Sequence, residues 1–348
     1  MRITAVIALF VVGIVIGRQW HRSNPEPATH QRKAAVATYR NPVFNHDFPD
    51  PDVVWTGRSY VAAATGDASE HVQSATSGDL IGWKAGPDLL PTLPAWAASG
   101  FGKVWGPTID RVANRWILWF SAATESTGTE CIGWASSSSV TGPYVSSSTV
   151  PTVCQSQSGG SIDPSVTMNN AGTRYLLWKN DGNCCGDESN LWSQPLARDG
   201  VTVVGQPSLL LSYEPGWETG PTAKESTVEG PSVLHLDDHY FLLVSGNGYL
   251  TDTYGMGVAL CRTLSGPCAA QSADPVLSAT SDVAGPGGGS AFFDRYGQPW
   301  LAYAAWTPPL VGDVAGAQRS LRIDRITTVG QLLFILGPTV DRQPGPKA

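Results

Sequence analysis

Charge is scarce in this sequence: Asp, Glu, Lys and Arg make up only 15% of the 348 residues. The shortage is greater on the basic side, with 22 Lys and Arg against 29 Asp and Glu and a net charge of −7. Lys and Arg are scattered, so there is no basic patch to steer a nucleic acid, and no nucleic-acid partner is expected. Metal-binding cysteine patterns are also missing. None of the six Cys forms a C-x-x-C pair, and no His stands at zinc-finger spacing from them, which argues against a structural zinc site. Long helical periods are absent, and no linker-like stretch follows residue 38, so the rest reads as one domain.

Backbone punctuation is plentiful. The chain has 38 Gly and 26 Pro without a collagen-like period, which suits many short strands joined by turns. Hydrophobic residues reach 42%, enough for a substantial core. Thirteen Trp is a high count; most of them should be core, although sugar-binding clefts also use the flat face of indole.

The first residues differ from the rest. Ile3 to Gly17 is uncharged and apolar between Arg2 and Arg18. It matches the core of a signal peptide and falls short of the about 20 residues that span a bilayer comfortably. Residues 1–22 are therefore expected to be a signal peptide or a signal anchor, with membrane anchoring through residues 3–17 as the second form. Residues 23–38 are expected to be a polar stalk and 39–342 the folded domain, exported to an extracytoplasmic location. Six Cys agree with export. Cys261 with Cys268 and Cys131 with Cys154 could each close a loop, whereas adjacent Cys184 and Cys185 could pair only as a strained, rare vicinal bridge. The pairing stays open at this point.

The folded part repeats. A pair ending in Pro recurs at Asp50-Pro51, Gly106-Pro107, Asp163-Pro164, Gly230-Pro231 and Gly285-Pro286, in steps of about 55 to 67 residues. Each pair opens a short apolar strand, a turn rich in Gly, Asn or Asp, and a second strand dense in aromatics and aliphatics. Four strands per unit and five units predict an all-β fold, a five-bladed β-propeller, with a β-sandwich array as the rival. In a propeller the innermost strand of each blade borders the central channel. Residues just before each Pro should then converge there: Asp50, Trp105, Asp163 and Glu229. Clustered carboxylates raise at least one pKa, and glycosidic cleavage needs two carboxyl groups in opposite protonation states.

At these residues the sequence resembles family-43 glycoside hydrolases. The blocks FPDPDVVW, SIDPSV and VEGPSVL carry the likeness, supported by VWGPTI, GPGGGS and SLRIDRI over roughly residues 41–330. The resemblance implies an inverting glycosidase acting on arabinofuranosides, xylosides or related sugars. It implies Asp50 as general base, Glu229 as general acid and Asp163 as the carboxylate that orients the acid and tunes its pKa. It also implies that Arg322 reaches toward substrate. Trp105 and Phe48 are expected to line the sugar site, with core packing as the alternative for each. Trp217 and Tyr249 read as loop packing. Many family members carry His after GPG, where this chain has Gly288, and Tyr-His where it has Tyr303-Ala304. No metal or other cofactor is therefore expected, an axial Ca²⁺ included. The expected partner is a polysaccharide or oligosaccharide, and the protein is expected to be a monomer. A non-catalytic carbohydrate-binding propeller is the rival from another class, and keeping all three carboxylates argues against it.

Overall fold

The computed structural model describes residues 37–346 apart from Asp237. The expected signal or anchor segment and residues 23–36 of the stalk lie outside the described residues. Among the described residues there are 22 strands, three one-turn 3-10 helices and no α-helix. Strands β1 (Thr38–Tyr39) and β2 (Phe44–Asp47) come first. The first blade is β3 (Asp52–Trp55), β4 (Tyr60–Thr65), β5 (Val72–Ser77) and β6 (Trp83–Ala85). The second is β7 (Val104–Val112), β8 (Arg115–Ala123) and β9 (Glu130–Ser137), with isolated bridges from Ser136 to Val145 and from Ile132 to Val153 along β9. The third is β10 (Ser161–Met168), β11 (Arg174–Asn180), β12 (Asn190–Pro195) and β13 (Ser208–Ser212). The fourth is β14 (Val228–Leu236), β15 (His239–Gly246), β16 (Gly255–Cys261) and β17 (Cys268–Ala270). The fifth takes β18 (Ala284–Phe293), β19 (Pro299–Trp306) and β20 (Ser320–Val329) from the C-terminal side and β2 from the N-terminal side. Strand β21 (Leu332–Ile335) extends β20, and β22 (Gln343–Pro344) pairs with β1. The fold thus takes in Thr38, assigned above to the stalk, and runs past residue 342. The five sheets are the five blades expected from the repeat.

Each blade buries both faces, because a neighbour covers each one. Alternate residues of one strand therefore go to different cores. Leu118 and Phe120 of β8 join Val61 and Ala63 of the first blade, whereas Ile117 and Trp119 join Leu176 and Trp178 of the third. Leu177 packs with Leu242 and Val244, Phe241 and Leu243 with Leu301 and Tyr303, and Trp300 and Ala302 with Ala62 and Ala64. Five cores link five blades in a closed ring.

The last seam depends on residues far apart in sequence. Phe44 pairs with Leu321 and Asp47 with Ser320. Asn41 donates from Nδ2 to the Ile323 carbonyl at 2.8 Å and accepts the Ile323 N–H at 3.0 Å. Replacing Asn41 by Ala leaves both backbone groups buried and unpaired. The expected cost is about 2–3 kcal/mol, read as a lower midpoint in urea with an unchanged slope; an unchanged midpoint would contradict this account of the seam.

Candidate active site

Inner strands enter the axis through a shared kink. Strand register slips by a two-residue bulge between Trp105 and Thr108, Ile162 and Ser165, Glu229 and Ser232, and Gly287 and Ser290. The first residue of each bulge has a left-handed backbone, with φ of 52° at Gly106, 55° at Asp163, 58° at Gly230 and 59° at Gly288. Asp50, two residues before β3 starts, has 54°. Four of these five precede Pro, as the repeat implied. The fifth repeat is corrected, because Gly288 and not Gly285 holds the equivalent place. Three ring positions are pinned by a hydroxyl from the preceding blade. Gly106 N–H donates to Thr65, Asp163 N–H to Ser121 and Gly288 N–H to Ser245, at 2.9–3.0 Å. Asp50 and Asp163 are therefore true equivalents, whereas Glu229 and Trp105 sit one residue earlier, on the inner strand before the kink.

A cavity of about 890 Å³ opens on this ring and is lined by Asp50, Trp105, Asp163 and Glu229. Asp50 accepts from the Thr65 hydroxyl at 2.6 Å, and Arg319 stands 3.9 Å from its other oxygen. Burial raises its pKa, while Arg319 and the Thr65 hydrogen bond pull it down and the Glu229 charge pushes it up. The Arg319 guanidinium lies 4.9 Å from the centre of the Tyr249 ring, within cation–π range.

Glu229 is held on both oxygens. Tyr254 donates its hydroxyl to Oε1 at 2.7 Å, and Lys179 Nζ donates to Oε2 at 3.2 Å. Lys179 is 1% exposed and reaches Asp181 at 3.5 Å as well. Burial disfavours its charge, but Glu229, Asp181 and Asp163 outweigh that and leave its pKa raised. Asp163 accepts the Gly230 N–H at 3.0 Å, fixing the residue after Glu229. Its carboxyl is pushed up to about 7, first by burial and then by the Glu229 charge. One cavity thus holds a carboxylate beside a guanidinium, a second beside an ammonium and a phenol, and a third that keeps a proton near neutrality. Such a set can hand a proton to a leaving oxygen and take one from water.

The sequence profile of glycosyl hydrolases family 43 matches residues 39–330. The chain belongs to glycosyl hydrolase family 43. It is accordingly a glycoside hydrolase that works with inversion. It is 23% identical over 261 residues to the extracellular endo-α-(1→5)-L-arabinanase 1 of Bacillus subtilis strain 168, covering 72% of this chain and 73% of that protein. A xylan 1,3-β-xylosidase of a Vibrio species is 26% identical over 258 residues, covering 70% of this chain but 44% of the Vibrio protein. The crystal structure of a thermostable family-43 glycoside hydrolase superposes with a TM-score of 0.79 at 26% identity, covering 89% of this chain and all of the other.

Two expected site residues of this family 43 chain are placed elsewhere. Phe48 is 1% exposed and packs edge-on to Phe44 in the core between the first and fifth blades, so it does not line the cavity. Arg322, also 1% exposed, lies within β20 opposite Tyr303 and donates to Thr307 at 2.9 Å. The cavity arginine is Arg319, just before that strand. Tyr249, expected as loop packing, lines the cavity beneath Arg319, whereas Trp217 packs against the fourth blade. Lys179 and Tyr254 were not anticipated. Lys179 could have been noticed as a cation closing an otherwise apolar strand (RYLLWKN); Tyr254 carries no such signal. Gly288 supplies no side chain toward a cation, and among the described residues no group of three His, Cys, Asp or Glu is placed to hold a metal ion.

Two outcomes follow for this ring. A Cβ at Gly288 would run into the Asp50 carboxylate, and its φ disfavours any side chain. Gly288→Ala is therefore expected to cut kcat/KM at least about tenfold by displacing Asp50; full activity would refute the close approach. For Asp163, a pKa raised from 3.8 to about 7 means the folded state keeps a proton the unfolded chain has lost. Stability then falls as pH rises through that window. Asp163→Asn, which does not titrate, should melt higher than the parent at pH about 8 and lose that advantage at pH about 4. An advantage that is equal at both pH values would contradict the shift.

Proposed function

We propose that this family 43 enzyme hydrolyses α-arabinofuranosyl linkages in pentose-containing polysaccharides or oligosaccharides. Asp50 acts as general base and Glu229 as general acid, with Asp163 as the carboxylate that modulates and orients the acid. The observation that carries this reading is the convergence of three carboxyl groups, from the first, third and fourth blades, on one cavity. Asp50 takes a proton from a water approaching one face of the anomeric carbon. Glu229 gives a proton to the departing oxygen, the C–O bond breaks, and the sugar leaves with inverted configuration. Trp105 offers an aromatic wall to the sugar. The arabinofuranosyl assignment is supported by the likeness to the Bacillus arabinanase, which extends over 73% of that protein. A β-xylosyl linkage is the second reading, favoured by the Vibrio xylosidase. Action outside the cytoplasm fits three disulfides, Cys131–Cys154, Cys184–Cys185 and Cys261–Cys268, and the extracellular location in the Bacillus protein's name.

The test is turnover on arabinan, xylan and aryl pentosides by the parent, Asp50→Asn and Glu229→Gln. Arabinan should be the best polymer. Glu229→Gln should lose about 10²–10⁴-fold on it, and less on aryl glycosides whose leaving group needs no proton. Normal arabinan hydrolysis by Glu229→Gln would remove the acid assignment, and preference for xylan would select the second reading.

A further inference from the structure

Cys131 and Cys261 are each buried in a core cluster, at 0% and 2% exposure. The third bridge differs. Cys184 and Cys185 are bonded to each other, both are exposed, neither belongs to a core cluster, and both line the cavity. A free or bridged Cys is ordinarily among the most buried residues. A bond between adjacent residues closes no loop, so it adds little of the chain-entropy stabilisation that disulfides usually give. Fold stability does not account for its position.

Its surroundings place it on one side of the catalytic groups. The turn that carries it follows Lys179, which is bound to Glu229, and Asp181, which is bound to Lys179. Asn183 in that turn donates to the Lys224 carbonyl at 2.6 Å, joining it to the segment that leads into the strand of Glu229. Asp50 faces Arg319 instead, from the first and fifth blades. The same cavity wall holds two acceptors, Glu130 Oε2 and Asn183 Oδ1, that no donor among the described residues meets. A sugar hydroxyl, directly or through a water, would satisfy either.

We infer that the Cys184–Cys185 disulfide is the apolar platform of a leaving-group subsite, on which the sugar beyond the scissile bond rests its C–H face. The bridge offers a small, polarizable surface without a hydrogen-bond donor, the kind of contact a sugar's apolar face accepts, while Glu130 and Asn183 take its hydroxyls. The side assigned to the subsite rests on Glu229 being the acid.

The experiment compares an oligosaccharide with the glycosyl fluoride of the same sugar, whose leaving group is one atom and cannot reach the platform. Cys184→Ser/Cys185→Ser is measured on both, and Cys184→Ala/Cys185→Ala alongside. The oligosaccharide kcat/KM should fall about tenfold, chiefly through KM, and the fluoride value by no more than about threefold. Because both substrates report on the same folded fraction, the ratio stands even if a variant folds incompletely. Equal losses on both substrates, or none on either, would overturn the platform. Glu229→Gln serves as the separate check. If it loses the fluoride as severely as the oligosaccharide, the acid reading fails, whatever the cysteine variants show.

Discussion

Everything in this active site depends on five inner strands being able to crowd one axis. Each enters through a residue with a left-handed backbone, in the order Asp50, Gly106, Asp163, Gly230, Gly288. Three glycines take that conformation at little cost, and two aspartates are tolerated because a short polar side chain can sit there for about 1 kcal/mol. The glycines also make room. A Cβ on Gly106 would stand 3.0 Å from the Asp163 carboxyl, and one on Gly288 would strike Asp50. The alternation of acid and glycine is thus a packing requirement: each carboxyl occupies space that its neighbour's missing side chain leaves free. Backbone strain of this sort tends to persist where the surrounding structure over-determines it and function uses it.

Electrostatics follow from that crowding. Three carboxyl groups share one cavity, and each has different neighbours. Arg319 stands by Asp50 and buried Lys179 by Glu229, so two of the three face a cation. Asp163 has no cation in direct contact among the described residues, and burial and the Glu229 charge push its carboxyl up to about 7, while burial raises Asp50 as well. The two cations are anchored differently. Lys179 is fixed by burial and by Asp181, whereas Arg319 lies against the aromatic faces of Tyr249 and Trp306 at the rim.

The blades were legible in the sequence because a Pro that needs no N–H marks the kink of four inner strands, just before β3 and at the bulge within β7, β10 and β14, and this mark repeats at blade spacing. The fifth inner strand was misplaced by three residues. In AGPGGGS the Pro follows Gly285 rather than the ring position, and a run of glycines carries no pattern that separates one from the next. The three acids were legible because they flank those Pro residues. Lys179, Tyr254 and Arg319 were not, since each reaches the cavity from a different strand or loop and belongs to no repeated position. Arg322 and Arg319 show why spacing within a strand matters. They stand three positions apart, so they cannot share a face of one regular strand, and the pairing of Ser320 with Ala305 and Asp47 shows where the strand begins. Closure by β2 was also beyond the sequence, because it joins Asp47 to Ser320 across nearly the whole domain. The vicinal bridge was expected to be disfavoured by strain, yet the structure pairs Cys184 with Cys185.

The most direct measurement of the central claim is a crystal structure of Asp50→Asn with an uncleaved oligosaccharide in the cavity. The account predicts the scissile oxygen within hydrogen-bonding distance of Glu229 and residue 50 on the opposite face of the anomeric carbon. The two carboxyl positions should be about 6.5–9.5 Å apart, with a water between residue 50 and the sugar. A sugar seated away from Glu229, or both groups on one face of the ring, would contradict it.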